Sequence, residues 1–179
     1  MTTRTMIAET AAATAGRAWW FLDTLVVEHC QAGPTDQVVL ESTLPVGAAP
    51  PLHIHHDLDD SWYLLDGQMV VRCGDELTLA TAGHWVSLPR GVPHAFRVVG
   101  WHSARLLLVH SNRSFLDLVR DLGEPAEAAE LPIPNGGPGL EALDLALASH
   151  DVTTVGPSMT EEEAQRFLSS VASPLGRTS

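Results

Sequence analysis

Three histidines in two separate stretches of the chain have the residue type and spacing of a metal site. One residue separates His53 from His55, so on a strand both side chains point to the same face and can reach one ion. His94 can add a third imidazole from a distant strand, and Asp60 can add a carboxylate. Such a mixed nitrogen and oxygen set suits divalent Ni, Co, Mn, Fe, Cu or Zn, and ligand type alone does not choose among them. We therefore predict about one divalent transition metal ion per chain.

The residues around these histidines resemble the two sequence motifs of the cupin family. The first motif is matched by Gly47, five residues, His53-x-His55, four residues, Asp60, six residues and Gly67. The second is matched by Gly83, five residues, Pro89-x-Gly91, two residues and His94. The resemblance implies an antiparallel jelly-roll β-barrel with the metal site inside it.

Two positions depart from the cupin pattern. The acid is Asp60 where the family usually has glutamate, and Val98 stands where the second motif commonly ends in asparagine. Aspartate is shorter by one carbon–carbon bond, which removes about 1.5 Å of reach. Two roles for Asp60 therefore remain open, as a metal ligand and as a base beside the metal.

A closer resemblance covers most of the chain. The segments 16–21, 50–55, 62–67, 89–94 and 149–157 resemble single-domain cupins related to bacterial quercetin 2,3-dioxygenases. Carried over from that family, His53, His55, Asp60 and His94 would hold Ni, Co, Mn or Fe. The family's acid also removes the proton from the flavonol 3-hydroxyl, the substrate binds the metal through oxygen, and dioxygen then cleaves the heterocycle with loss of carbon monoxide. The resemblance further implies a homodimer.

Strand-like segments and turn signals cover residues 18–98, and residues 105–110 close the series. Helical patterns follow: Ser114 can cap a helix that ends at Gly123, residues 140–148 have helical periodicity, and Thr160 with Glu163 forms a capping box. We predict an all-β, cupin-type jelly-roll barrel with C-terminal helices. Its parts are a flexible N-terminus (1–15), the barrel (16–112) and a helical extension packed on the barrel (113–179).

Aromatic residues near the motifs are candidates for a substrate pocket. Trp62 shares strand parity with Asp60, and Phe96 with His94, which favours apolar pocket walls. Trp19 and Trp20 either line the same pocket or plug the end of the barrel. The histidines outside the motifs are interpreted as surface or core residues: His84, His102, His110 and His150.

Composition excludes several classes of function. The chain of 179 residues has a formal net charge of −12, from 22 acids against 10 bases. A surface of that sign repels phosphate backbones and anionic lipids, so we expect neither nucleic-acid nor membrane partners. All the bases are arginine, which excludes lysine Schiff-base chemistry. With no secretory signal pattern at the N-terminus, we expect a cytoplasmic protein.

Three functions from different classes fit these observations. The first is a metal-dependent dioxygenase that combines dioxygen with a flavonol-like or other enolizable aromatic or polyketide substrate, with Asp60 as ligand or base. The second is a metal-dependent isomerase, cyclase or hydrolase, in which the ion only polarises a carbonyl. The third is a cupin that binds a small molecule without catalysis.

Overall fold

The computed structural model describes residues 18–30, 37–134 and 140–172, with the side chains of residues 30 and 140 outside the description. The N-terminal segment predicted to be flexible, residues 1–15, lies outside these ranges, as do the first two residues of the predicted barrel. None of the described helices is long and apolar enough to cross a membrane.

Two antiparallel sheets make up most of the described chain. The strands are β1 (Ala18–Phe21), β2 (Thr24–Cys30), β3 (Val38–Leu44), β4 (Pro51–His55), β5 (Asp60–Asp66), β6 (Gln68–Cys73), β7 (Glu76–Thr81), β8 (Trp85–Leu88), β9 (His94–Val99), β10 (Ala104–His110), β11 (Glu124–Pro125) and β12 (Val152–Ser158). The helices are α1 (Ser114–Leu122), α2 (Leu140–Ser149) and α3 (Glu161–Val171). One sheet has the order β11-β1-β2-β3-β10-β5-β8, and the other has the order β12-β4-β9-β6-β7. This arrangement confirms the predicted cupin jelly roll.

Alternating burial along the central strands places the core between the sheets. In β3 every second residue is buried, beginning with Val38 and ending with Leu44, and β10 shows the same alternation up to His110. On a pleated strand this period directs one set of side chains inward and the other outward. The inward set therefore builds a single core from both sheets, with Leu40, Leu64, Met69 and Leu106 almost fully buried in it.

The last glycine of the first motif is required by close backbone packing. Gly67 has φ of +82° in the turn between β5 and β6. A Cβ atom at this position would lie 2.7 Å from Cα of Ala104 and 2.9 Å from the carbonyl oxygen of Ser103. Only glycine fits such a turn without moving the start of β10, which is a neighbour of β5 in the sheet.

Helix α1 has the predicted extent but not the predicted cap. Arg113 occupies the N-cap position without a side-chain capping bond, and Gly123 ends the helix. The hydroxyl of Ser114 donates instead to the carboxylate of Asp57, at 3.0 Å from Oδ2. The start of α1 is therefore held by the loop that follows β4, because Asp57 lies in that loop.

The third helix begins with the predicted capping box between Thr160 and Glu163. It packs on the outer face of the five-stranded sheet through a second cluster that includes Val70, Val99 and Met159. This contact covers a sheet face that would otherwise be apolar and exposed.

The chain after residue 112 is not only helical, in contrast to the sequence prediction. Strand β12 adds to the edge of the five-stranded sheet, where Val152 pairs with His55 and Thr154 pairs with His53. The run Val-Thr-Thr-Val has high strand propensity, and pairing with β4 satisfies its backbone groups. The division of the chain at residue 112 stays a prediction.

Candidate metal centre

Strand pairing brings the three predicted histidines together. His53 and His55 lie on one face of β4, and His94 at the start of β9 is the direct pairing partner of His53. The ring centroids are 5.2 Å apart for His53 and His55, 4.5 Å for His53 and His94, and 5.4 Å for His55 and His94. One ring nitrogen from each residue lies within 4.8 Å of the other two. Three imidazoles at this separation can bind a single ion.

Hydrogen bonds to the backbone orient two of these rings. Nδ1 of His53 lies 2.7 Å from the carbonyl oxygen of Pro51, and Nδ1 of His94 lies 2.9 Å from that of Val92. A carbonyl only accepts, so Nδ1 carries the proton and Nε2 carries the lone pair. Nε2 of His94 is buried and has no hydrogen-bond partner in the described residues. A buried imidazole with an unshared lone pair fits a metal ligand.

The protonation state of the histidines also suits metal binding. Burial, together with the neighbouring His94, lowers the pKa of His53 from 6.5 to about 4. Burial lowers the pKa of His55 to about 3, although Asp60 opposes that shift. Because a metal binds neutral imidazole, little proton competition is expected at neutral pH.

Asp60 lies in the same interior but is bound to other residues. Its Oδ1 accepts hydrogen bonds from Nε1 of Trp62 and, at 2.7 Å, from Nε2 of His110. Burial raises the pKa of the Asp60 carboxyl. The charge interaction and hydrogen bond with His110, with smaller contributions from His55 and His94, outweigh burial and lower the pKa overall. The carboxylate is not part of the histidine group whose ligand atoms lie within 4.8 Å of one another. Both roles predicted for Asp60, metal ligand and base beside the metal, stay predictions.

Two other carboxylates near the motif are held by different partners. Asp59 accepts from the guanidinium of Arg90 at 2.6 Å and 3.1 Å and from its backbone N–H at 3.0 Å. Asp57 accepts from Ser114 and, at 3.1 Å, from Nδ2 of Asn112. Of these three acids, Asp60 is therefore the one that lines the interior of the barrel.

His110 is a site residue that the sequence analysis did not assign. It is buried at the end of β10 and faces inward like Leu106 and Leu108, so strand parity was the available signal. Its contact with Asp60 depends on the pairing of β10 with β5, in which His110 stands opposite Asp60. Nδ1 of His110 is buried without a hydrogen-bond partner in the described residues.

A cavity of about 280 Å³ opens beside the histidines. Its polar lining includes His53, His55, Asp60 and His110, and the rest of the lining is mostly apolar. Trp62 and Phe96 both line it, with ring centroids 5.2 Å apart in an edge-to-face contact. Polar groups therefore converge in a pocket whose other walls are aliphatic and aromatic, as small-molecule sites commonly do.

The two tryptophans of β1 do not line this cavity, which corrects the sequence prediction. The aromatic residue that β1 contributes is Phe21, whose ring lies 5.8 Å from that of Phe115. Trp20 donates its indole N–H to the carbonyl oxygen of Glu130 at 2.9 Å. Trp19 packs at the margin of the main core. The predicted pocket-lining role failed because the residue of β1 that faces the cavity is Phe21, the last residue of the strand.

Comparison with known proteins agrees with this geometry. Residues 40–110 match the protein-family model described as "Cupin domain". That segment contains both motifs and all three histidines. The match is therefore to the part of the chain that carries the candidate metal site.

Individual relatives are more distant. The chain is 31% identical over 86 residues to a quercetin 2,3-dioxygenase of Bacillus subtilis. This match covers 48% of this chain and 25% of that protein. Among solved structures, KdgF from a Halomonas species has 18% identity and a TM-score of 0.48, covering 55% of this chain and 89% of that one. The Cnp3 cupin domain of Schizosaccharomyces pombe has 18% identity and a TM-score of 0.47, covering 57% of this chain and 74% of that one.

We predict that replacing both His53 and His55 by alanine abolishes metal binding. The wild-type protein should carry about one divalent transition metal per chain, because three neutral imidazoles converge and neutral imidazole is the form that binds metal. Elemental analysis of the purified proteins measures this, with circular dichroism to verify folding. His102→Ala is the matched control, because His102 is exposed and its Nδ1 bonds only the adjacent Ser103 carbonyl. Full metal content in the folded double variant would contradict the assigned site.

We predict that the metal-free protein loses stability as the pH falls from about 6.5 towards 4. The pKa of His53 is about 4 in the folded protein and 6.5 ordinarily, so the unfolded chain takes up protons first in this interval. Proton uptake by the unfolded state lowers the free energy of unfolding as the pH decreases. Thermal melts across this range measure the effect, and the His53→Ala, His55→Ala double variant should show a flatter profile. An equal slope in both proteins would contradict the lowered pKa values.

Proposed function

We propose that this protein is a metal-dependent cupin dioxygenase that acts on a flavonol-like or other enolizable ring compound. The observation that carries the proposal is a group of three histidines, of which His53 and His55 line a mostly apolar cavity together with the carboxylate of Asp60. The apolar walls of the cavity can hold a ring system. The histidines and Asp60 can bind and deprotonate one hydroxyl oxygen of that molecule. The histidine residues that would hold the ion are His53, His55 and His94.

The cavity supports an apolar, uncharged class of substrate. Its volume of about 280 Å³ is just below the range of roughly 300–1,000 Å³ that is usual for ligand pockets, which favours a molecule of a few rings. No arginine is among the residues that line it within the described part of the chain. A strongly anionic substrate would lack the bidentate partner that such ligands commonly use.

Asp60 is the residue that we assign to proton transfer. Both hydrogen bonds from Trp62 and His110 go to Oδ1, so Oδ2 is the atom available to accept the proton of a substrate hydroxyl or enol. His110 fixes the orientation of the carboxylate and keeps it ionised, since the interaction between them lowers the pKa of Asp60. A divalent transition metal on the histidines would supply Lewis acidity and electron exchange with dioxygen.

The similarity to a quercetin 2,3-dioxygenase supports the same class of reaction. It covers a quarter of that protein and about half of this chain, so it bears on the cupin domain and leaves the substrate open. Quercetin is accordingly the first compound to assay, with other flavonols and enolizable ring compounds beside it.

We predict that the metal-loaded protein consumes dioxygen when its substrate is added. An oxygen electrode measures uptake for each combination of Ni, Co, Mn, Fe, Cu or Zn with the compound panel, and heat-denatured protein with the same metal is the control. Product analysis with isotopically labelled dioxygen should show that both oxygen atoms enter the products. Turnover of the substrate at the same rate without dioxygen would contradict the proposal and support an isomerase or cyclase. Affinity without turnover would support a binding protein.

We predict that Asp60→Asn leaves most of the metal in place and lowers turnover by about 10²- to 10⁴-fold, the range for loss of a general base. Elemental analysis and steady-state rates are measured on the same preparation, below the thermal transition, because breaking the buried contact with His110 is also destabilising. Asp59→Asn is the matched control, since Asp59 is half-exposed and bound to Arg90. Loss of metal in the Asp60 variant would show that Asp60 is a ligand, and unchanged metal and turnover would remove it from the site.

A further inference from the structure

The turn between β1 and β2 contains a leucine in an unusual backbone conformation. Leu22 and Asp23 form a two-residue connection, since Phe21 pairs with Thr24 across the hairpin. The hydroxyl of Thr24 donates to the carbonyl oxygen of Phe21 at 2.8 Å and closes the turn. Leu22 has φ of +55°, a left-handed conformation that is unfavourable for a residue with a branched side chain and is usually taken by glycine or asparagine.

The side chain of Leu22 does not pack into the main core, so core packing does not offset the unfavourable backbone angle. It is 38% exposed and does not belong to the main core cluster. It nevertheless lines the cavity, together with Asp23 and Thr24 of the same turn. Exposed lining residues mark where a cavity opens to solvent, whereas buried ones such as His110 mark its interior. The hairpin therefore forms part of the rim of the opening.

We infer that Leu22 is a substrate-contacting residue, held at the opening so that its side chain covers the apolar part of a bound molecule. The unfavourable backbone angle is consistent with this role, because strained residues are often retained where a side chain is needed at a site. In the wild-type protein the exposed leucine surface would be removed from water only when an apolar ligand occupies the cavity. The choice of ligand rests on the proposed function, but the contact itself does not require catalysis.

Helix α2 supplies further apolar surface to the same cavity. Leu143 and Leu147 line it, and the helix is tied to β12 by a hydrogen bond of 3.1 Å from the hydroxyl of Thr154 to Oδ1 of Asp144. Leucines from the β1–β2 turn and from α2 would thus contact the ligand, whereas two of the lining histidines and Asp60 lie on β4 and β5. This distribution suits a molecule with one polar, ionisable end and one apolar end.

The test separates the backbone effect of residue 22 from its side-chain effect. Leu22→Gly removes both the side chain and the unfavourable backbone angle, whereas Leu22→Ala removes the side chain but keeps a Cβ atom. Binding is measured without dioxygen on the full-chain protein by fluorescence titration with two probes. The probes are quercetin and the neutral apolar dye N-phenyl-1-naphthylamine. Thermal melts are recorded for every variant.

Both variants should bind the two probes about three- to tenfold more weakly, as expected for losing a few apolar carbons from a contact. The Tm of Leu22→Gly should be unchanged or higher, because glycine adopts positive φ without steric cost, and it should exceed the Tm of Leu22→Ala. The matched control is Asp151→Gly, because Asp151 also has a positive φ, of +56°, but does not line the cavity. It should leave both dissociation constants unchanged.

Unchanged dissociation constants in both Leu22 variants would overturn the inference, since the leucine would then be only a tolerated turn residue. Failure of the wild-type protein to bind either probe would also overturn it. Binding that depends on Leu22, combined with no oxygen uptake for any compound, would sustain the inference while removing the dioxygenase proposal. The two failures are therefore distinguishable.

Discussion

The position of strand β4 is the constraint on which the site depends. This strand carries His53 and His55, and it lies in the sheet between β9 and β12. Its contact with β9 is the single pairing of His53 with His94, whereas β12 pairs with it along its whole length. Backbone hydrogen bonds from β12 thus support the histidine strand from one side, and on the other side the backbone N–H of Gly91 donates to the carbonyl oxygen of His55 at 2.8 Å. Because β12 lies outside residues 40–110, the segment that matches the cupin model does not contain everything that holds its own histidines.

Burial shifts the pKa values of the histidines and of Asp60 in opposite directions, although it favours the neutral form of both. Removing an imidazole from water favours its neutral form, which is the form that binds metal. Removing a carboxylate from water also favours its neutral form, but the contact with His110 keeps the pKa of Asp60 low. In the same apolar surroundings the histidines are therefore neutral, as metal binding requires, and the carboxylate of Asp60 is ionised. A buried carboxylate is expensive to desolvate unless it is hydrogen-bonded, and Asp60 accepts from both Trp62 and His110.

The sequence predicted those features that depend on regular spacing. The parity of His53 and His55, the motif glycines and the capping box of α3 are local patterns, and each has the position that its pattern indicates. The position of His94 opposite His53 followed from the family motif and could not have been obtained from spacing alone. This explains why fold and histidine cluster agree so well with expectation.

Features that depend on the pairing of distant segments were missed. The contact of His110 with Asp60 arises because β10 lies beside β5, and nothing near His110 in the sequence indicates that neighbour. Strand β12 was read as part of a helical extension because its partner β4 lies about a hundred residues earlier. Trp19 and Trp20 were candidates for the pocket or for the end of the barrel, but the residue of β1 that lines the cavity is Phe21.

The distance in sequence between β4 and β12 has a consequence for synthesis of the protein. The histidine strand is made early, but the strand that flanks it leaves the ribosome only after residue 158 has been translated. Until then, β4 forms an open sheet edge, which is prone to pairing with other chains. Elongation at roughly 5–20 residues per second would keep that edge unprotected for several seconds. Newly made chains are therefore most exposed to misassembly in this interval, and the complete histidine site is a late product of folding.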